Sequence, residues 1–430
     1  MSENPSSRPP NLRWNFIALL VDYASFMLGL AFLNLNSVLP AFVQRFSDSA
    51  PLMGLVSTVW QGCWLLPQLP VAHLINDKPL KKPFMLTVSF TGRVILLALP
   101  VALWAGLGRY STATLVLFFV CLGCFAAGDG TGSLAWFDIV AKTIPSRLRG
   151  RLFGWAQVVS GLGGIGIGAL LGLILSHPKL PFPSNYALVF TLANIVIIPS
   201  TVALIALREP PGIVRDLAGE TPPRGQWLKT LTSDKTFQLF VLSRILFGMG
   251  SLAVPFYVRH ATSVLELPAT IVGAFVTAQT VGSVGVSAMV SLTSRHWRPH
   301  RVARLGSAVA VIAPAMALAI QVTRSPVLIQ LYPLVFAVIG ITHSATTLGF
   351  FNYLMEIAPE RTRPAYAGLS NTILGLLMVV PTLGGWLLEV TSYSALFIIT
   401  AALLVLGFFL TLKLEPTESA IADVPTSQPC

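Results

Sequence analysis

The chain has 430 residues, of which 54% are apolar and only 10% charged, and its formal net charge is +11 at neutral pH. Soluble domains carry charge on about a quarter of their residues. Here the apolar residues come in runs of twenty or more, each long enough to cross about 30 Å of hydrocarbon as a helix, so a water-soluble globule is excluded. The basic excess does not point to nucleic acid either. Lysines and arginines are dispersed over short loops beside the apolar runs, where they meet anionic headgroups and set orientation.

Taken in order, the runs predict twelve membrane spans at 14–40, 52–75, 84–106, 112–136, 152–175, 186–207, 236–258, 268–292, 304–323, 327–350, 366–388 and 393–413. The fold class is therefore an all-α polytopic membrane protein with 12 transmembrane helices. The expected organisation is an N-terminal tail (1–13), a six-helix bundle (14–207), a linker (208–235) punctuated by Pro210-Pro211 and Pro222-Pro223, a second six-helix bundle (236–413) and a C-terminal tail (414–430). The first run is too long for a cleavable signal and lacks a small-residue cleavage site, so it is expected to stay as an anchor. The four cysteines, Cys63, Cys121, Cys124 and Cys430, are too few for a disulfide framework. Cys121 and Cys124 form a Cys-x-x-Cys, but in mid-membrane this reads as close packing rather than a metal or redox site.

Charge placement orients the chain. Only Arg45, Arg109, Lys179, Arg259 and Arg324 fall in the loops of one side, and Arg93 and Arg244 fall inside spans. The remaining lysines and arginines, out of 28, lie on the other side with both termini. Because basic loops stay in the cytoplasm, both termini are expected there, in a cell inner or plasma membrane.

The two halves repeat one another. Residues 137–149, Phe-Asp-Ile-Val-Ala-Lys-Thr-Ile-Pro-Ser-Arg-Leu-Arg, return loosely and without a gap as residues 351–363, a shift of 214. Leu39-Pro40-Ala41-Phe42-Val43 parallels Val254-Pro255-Phe256-Tyr257-Val258 at a shift of 215. Two matches at nearly one shift describe duplicated bundles with a seam between them, the place where a pathway can open.

Six plus six spans, a long central loop and Pro145-Ser146-Arg147-Leu148-Arg149-Gly150 between spans four and five resemble a transporter of the major facilitator superfamily, over nearly all of residues 14–413. The family's Gly-x-x-x-Asp-Arg-x-Gly-Arg-Arg loop between spans two and three is partly matched by Asp77, Lys78 and Lys81-Lys82, with His73 and Leu80 where glycines are usual. The Arg-x-x-Gln-Gly-x-Gly element of drug/proton antiporters keeps its glycines as Gly130 and Gly132, but Ala126 and Asp129 stand at its Arg and Gln. Span five has a run of glycines but no proline where those antiporters carry one. The resemblance implies two rocking bundles and no subfamily.

Ionisable groups in hydrocarbon cost a few kcal/mol each, so they face a cavity or a partner. Asp129 and His343 coincide under the 214 shift, and the resemblance puts their spans, four and ten, on the cavity. With Asp22 in span one they are the candidates for proton coupling; the structural alternatives are an ion pair of Asp22 with Arg93 or Arg244, and bracing by Asp129 of its glycine-rich stretch. Asp22, Gly29 and Asn36 recur every seven residues near one face. Arg244, Asn36, the matched amides Gln157 and Asn371, and Trp136, matched to Phe350, are candidates for substrate contact; helix-to-helix bonding is the other reading of the amides. Arg93 reads as structural. Asp77, Lys78, Arg147, Arg149, Arg361 and Arg363 are candidates for a cytoplasmic gate, or simply fix the topology.

No phosphate loop, His-Glu-x-x-His or nucleophile elbow occurs, and no soluble domain is present to hold a cofactor, so neither an enzyme nor a cofactor is expected. The expected function is secondary active transport of a small solute, coupled to protons or another ion, by a monomer in the bilayer. Drug or amphiphile efflux and a non-transporting sensor or scaffold on the same fold are the alternatives.

Overall fold

The computed structural model of the chain describes residues 11–76, 78–211, 234–292, 298–358 and 363–415. Eleven helices among the described residues are long and apolar enough to cross a membrane. The second span completes twelve: it is divided into Ala50–Leu65 and Gln68–Asn76, with Pro67 at the break. Lys82–Trp104, Ser111–Thr143, Ser146–Ser176 and Ser184–Ala206 form spans three to six. Ile271–Leu292 is span eight, Pro299–Ala310 and Ile312–Thr323 span nine, Pro333–Ile357 span ten and Tyr393–Thr411 span twelve.

Three further spans are interrupted. Span one runs Leu12–Phe32 and restarts as Val38–Gln44. Span seven runs Lys235–Gly248 and restarts as Phe256–Ser263. Span eleven comprises Arg363–Leu376 and Val380–Val390. In span one the break is held by Asn34, whose Oδ1 accepts from Asn36 N–H (2.9 Å) and the Ser37 hydroxyl (3.0 Å). A proline lies just inside the second piece, Pro40, or directly before it, Pro255, and these are the duplicated motif of the sequence. The two restarted pieces meet: Gln44 Nε2 donates to Thr262 Oγ1 and Ser263 Oγ, both at 2.9 Å.

Spans four and ten extend past the apolar runs. Span four continues to Thr143 and span ten starts at Pro333 and continues to Ile357, so much of each duplicated stretch is helix rather than loop. Apolarity marks the edge of the hydrocarbon, not the end of the helix; Asp138 and Lys142, four residues apart and 2.6 Å from each other, support the extra turns.

Within the first half span one packs on spans five and six, and span four on spans two and three. In the second half span ten packs on eight and nine, and span twelve on seven and nine. Apolar side chains such as Phe90, Val202, Ile398 and Phe409 point outward, as lipid-facing residues must. The halves touch along two seams, span five with span eight and span two with span eleven. Both seams rely on close backbone approach. A Cβ on Gly168 would stand 2.7 Å from Thr277 N, and one on Gly385 2.6 Å from Ala50 and Pro51 backbone.

The seams are one-sided. Asn11, Glu415 and the linker residues Arg208 and Asp234 lie at one end of the bundle, here the terminal end. Among the described residues every hydrogen bond between halves lies from mid-depth toward the far end: Gln44 with Thr262, Ser49 Oγ to Glu389 (3.1 Å), Thr58 with Thr382 (2.8 Å), and Asn34 to Gln279 (3.3 Å). Near the terminal end of span five, Gly150 and Gly154 face open space. Among the described residues the halves are joined from mid-depth to the far end, and no hydrogen bond or ion pair joins them at the terminal end.

Candidate functional site

Below the far-end seal lies a cavity of about 750 Å³ between the halves. That volume suits a metabolite or drug-sized molecule. Spans one and two line it from the first half; spans seven, eight, nine, ten and eleven, with Leu404 of span twelve, line it from the second. Asn34, Asn36, Gln61 and Gln279 supply amides, and Trp60, Phe247 and Phe350 supply rings. Arg244 is the one lysine or arginine on the described wall, and no aspartate or glutamate stands there.

Arg244 sits early in span seven with its guanidinium over Phe350 (5.5 Å to the centroid) and Phe240 (5.9 Å). It makes no hydrogen bond and no ion pair among the described residues. His343 also lines the cavity, and its imidazole likewise has no hydrogen-bond partner there. One residue earlier, the buried Thr342 hydroxyl is unpartnered. Helical threonines usually return their hydroxyl to the carbonyl four residues back, as Thr346 does to Thr342 at 2.6 Å, so this free donor is distinctive.

Asp22 and Asp129 are elsewhere. Asp22 is only 5% exposed and packs inside the first half. Its Oδ1 accepts from Ser200 Oγ (2.6 Å) and its Oδ2 from Trp136 Nε1 (2.7 Å). Arg93 donates to the same Ser200 Oγ (2.9 Å) and to Thr201 Oγ1 (2.5 Å), so a relay runs from guanidinium through hydroxyl to carboxylate. Asp129 Oδ2 accepts from Trp64 Nε1 at 3.0 Å. Arg93 interacts electrostatically with both carboxylates without a direct ion pair to either. Spans one, two, three, four and six thus hold a polar cluster of two acids and one base behind the cavity wall.

The other candidates separate. The seven-residue stripe of span one does not run into the cavity as one face: Asp22 and Gly29 pack on Ser200 and Ile197 of span six, and the break at Leu33–Ser37 turns Asn36 to the cavity. Trp136 stacks against Tyr23 and Phe153 while bonding Asp22, off the cavity wall. Gln157 is half-buried in span five, and Asn371 is exposed one turn toward the terminal end from cavity-lining Leu374; neither lines the cavity. Of the gate candidates, Asp77 and Arg361 lie outside the described residues, as do the side chains of Arg147 and Arg363. Lys78 is exposed, and Arg149 donates to the Ile144 and Ala141 carbonyls, both at 2.9 Å, capping span four.

One residue of the terminal end has no counterpart in the sequence reading. Glu209, just past span six, accepts from the backbone N–H groups of Lys81 (3.0 Å) and Lys82 (2.8 Å) and pairs with Lys142 Nζ (3.1 Å). Lys81 and Lys142 also pair with Asp138. The hub joins spans three, four and six within the first half. Its signal was a lone acid placed by topology on the same side as a lysine-rich loop.

The fold is widely shared. It resembles the crystal structure of a D-xylose-proton symporter, at 16% identity over 93% of this chain and 98% of that one, with a TM-score of 0.69. It resembles a bacterial homologue of the iron transporter ferroportin in an inward-facing state at 14% identity, over 94% of this chain and 98% of that one, with a TM-score of 0.67. A bacterial homologue of the human lysosomal transporter Spinster, inward-facing and unoccupied, matches at 15% identity over 96% of this chain and all of that one, with a TM-score of 0.63. A comparison with curated protein sequences finds no match. The family model of the Major Facilitator Superfamily matches residues 21–380, and with twelve spans in two duplicated bundles around one cavity, the chain belongs to that superfamily of membrane transporters.

Proposed function

We propose that the protein is a secondary transporter that carries a small solute across its membrane by alternating access, with protons coupled at the Asp22–Arg93–Asp129 cluster. The observation that carries this reading is the one-sided bonding: among the described residues two duplicated bundles are bonded toward the far end and not at the terminal end, with a solute-sized cavity between them. The basic loops support a cytoplasmic location for both termini, and on that reading this is the state open to the cytoplasm. One chain forms the whole cavity, so a monomer suffices.

The cluster suits coupling because one arginine serves two buried carboxylates. A proton on either acid weakens its attraction to Arg93 and frees the guanidinium toward the other; spans one and two, which carry Asp22 and the Trp64 partner of Asp129, also line the cavity, and span two forms the seam with span eleven. Asp129, bonded by a single indole N–H and half-buried, is the acid placed to exchange its proton; Asp22, enclosed by Ser200 and Trp136, anchors Arg93.

The test is solute-driven proton movement in proteoliposomes, read with a trapped pH dye and a panel of sugars, amino acids, organic anions and organic cations. The expected result is proton movement with one solute class, lost in Asp129→Asn while exchange of labelled for unlabelled solute persists. Flux that ignores the pH gradient removes the coupling assignment. Absence of flux for the whole panel removes the transport reading.

A further inference from the structure

Resting on the transporter reading, we propose that the solute is an organic monocarboxylate whose carboxylate is received by Arg244 and whose apolar or aromatic body lies against Trp60, Phe247 and Leu377. Cations inside a membrane protein are nearly always paired, because an unpaired charge taken from water is costly. Arg244 breaks that rule among the described residues. The only nearby rings, Phe240 and Phe350, hold its plane in place and leave its five donors uncommitted. The two intramembrane aspartates cannot serve it here, since each is engaged by its own donors behind the wall and both answer to Arg93.

Closing the terminal end makes the deficit worse. While the cavity is open, water solvates the guanidinium; once the halves meet, that water is largely lost and the charge must find a partner. A bound carboxylate supplies it with two parallel hydrogen bonds, the geometry a guanidinium fork fits best. The anion therefore favours the closed form over the open one, which is what a carried solute must do. His343 and the free Thr342 hydroxyl add donors on the same wall, and the amides Gln61 and Gln279 can take polar substituents.

One cation sets the charge. A phosphate monoester carries close to two negative charges at neutral pH, leaving one unbalanced against a single guanidinium, whereas a monocarboxylate is neutralised. Asn34, Asn36, Ser57 and Ser251 add polar groups to the remaining wall, but most of it is aliphatic and aromatic side chain, which suits a largely apolar body.

The experiment is binding of phenylacetate, benzoate and octanoate, each beside its uncharged amide, to the full chain in lipid nanodiscs, measured by calorimetry. The carboxylates are expected to bind about 10- to 100-fold more tightly than their amides, the range of a charged hydrogen-bonded contact. Arg244→Gln is expected to erase that preference, and Arg244→Lys to keep part of it. Equal binding of acids and amides to the unsubstituted protein, no binding of any carboxylate, or a preference that survives Arg244→Gln would each overturn the assignment. The first two outcomes do not depend on a variant that folds. Carboxylate binding without flux in proteoliposomes would count against the transporter reading and leave this site standing; flux of neutral solutes alone would do the reverse.

Discussion

Replacing Gly54 by alanine is expected to open the far-end seal. Gly54 lies in span two against the backbone of span eleven, where an added Cβ would stand 2.6 Å from the Pro381 carbonyl carbon and 2.8 Å from the Thr382 Cα. Carbon atoms rest at about 3.5–4 Å, so the two spans must separate by about 1 Å. Those atoms are backbone and cannot rotate aside. Overpacking of this kind costs about 1–3 kcal/mol, and the cost falls only on the state in which the spans touch. The ratio of far-end-closed to far-end-open molecules should therefore drop roughly 5- to 150-fold. Spin labels at Lys179→Cys and Val327→Cys, exposed far-end positions in opposite halves, read the change once the four native cysteines are replaced. In the parent background the label distance should be short and single; with Gly54→Ala a longer population should appear. An unaltered distance distribution in a folded, monodisperse Gly54→Ala protein would refute the reasoning.

The remaining predictions concern the clusters. Arg93→Ala leaves two buried carboxylates without their cation and should destabilise the protein by about 3 kcal/mol in thermal unfolding, with part of the loss recovered in the Arg93→Ala, Asp22→Asn double variant. Glu209→Ala releases the Lys81 and Lys82 amides, so their hydrogen exchange should accelerate while exchange in the second half stays unchanged. Tyr332→Phe removes a buried hydroxyl bonded to His260 Nδ1 (2.9 Å) and the Tyr257 carbonyl (3.0 Å), and should cost about 1–2 kcal/mol.

The duplication was the most legible feature of the sequence, and its meaning became physical in the structure. The repeated proline motif marks the breaks of spans one and seven, and the helix pieces that restart there join through Gln44 and Thr262 at the far end. Hydropathy predicted twelve spans, because a helix that faces lipid must be apolar for its whole crossing; eleven helices among the described residues meet that condition, and the second span is divided at Pro67. Hydropathy misjudged where spans four and ten end, since a helix continues beyond the hydrocarbon, in span four with the Asp138–Lys142 pair on its extra turns. Intramembrane charges were equally visible as residues, but sequence does not say which face a helix turns inward. Asp22 and Arg244 looked alike on that basis. One proved to be bonded to Ser200 and Trp136 within the first half, the other to line the cavity without a hydrogen bond or ion pair among the described residues. The 214-residue match of Asp129 with His343 also conceals a difference, because the acid has an indole partner and the imidazole faces the cavity. Glu209 gave no signal by composition, for its partners lie at the start of span three and the end of span four, which only the folded bundle brings together.

The central claim is that one cavity is reached from one side of the membrane at a time. Ser251 lines that cavity, so Ser251→Cys in a protein without other cysteines can be challenged with a membrane-impermeant maleimide from either face of oriented vesicles. The account predicts labelling from the terminal face, and a shift toward the far face when Gly54→Ala is added. Equal labelling from both faces with and without Gly54→Ala would describe a continuous pore and contradict it.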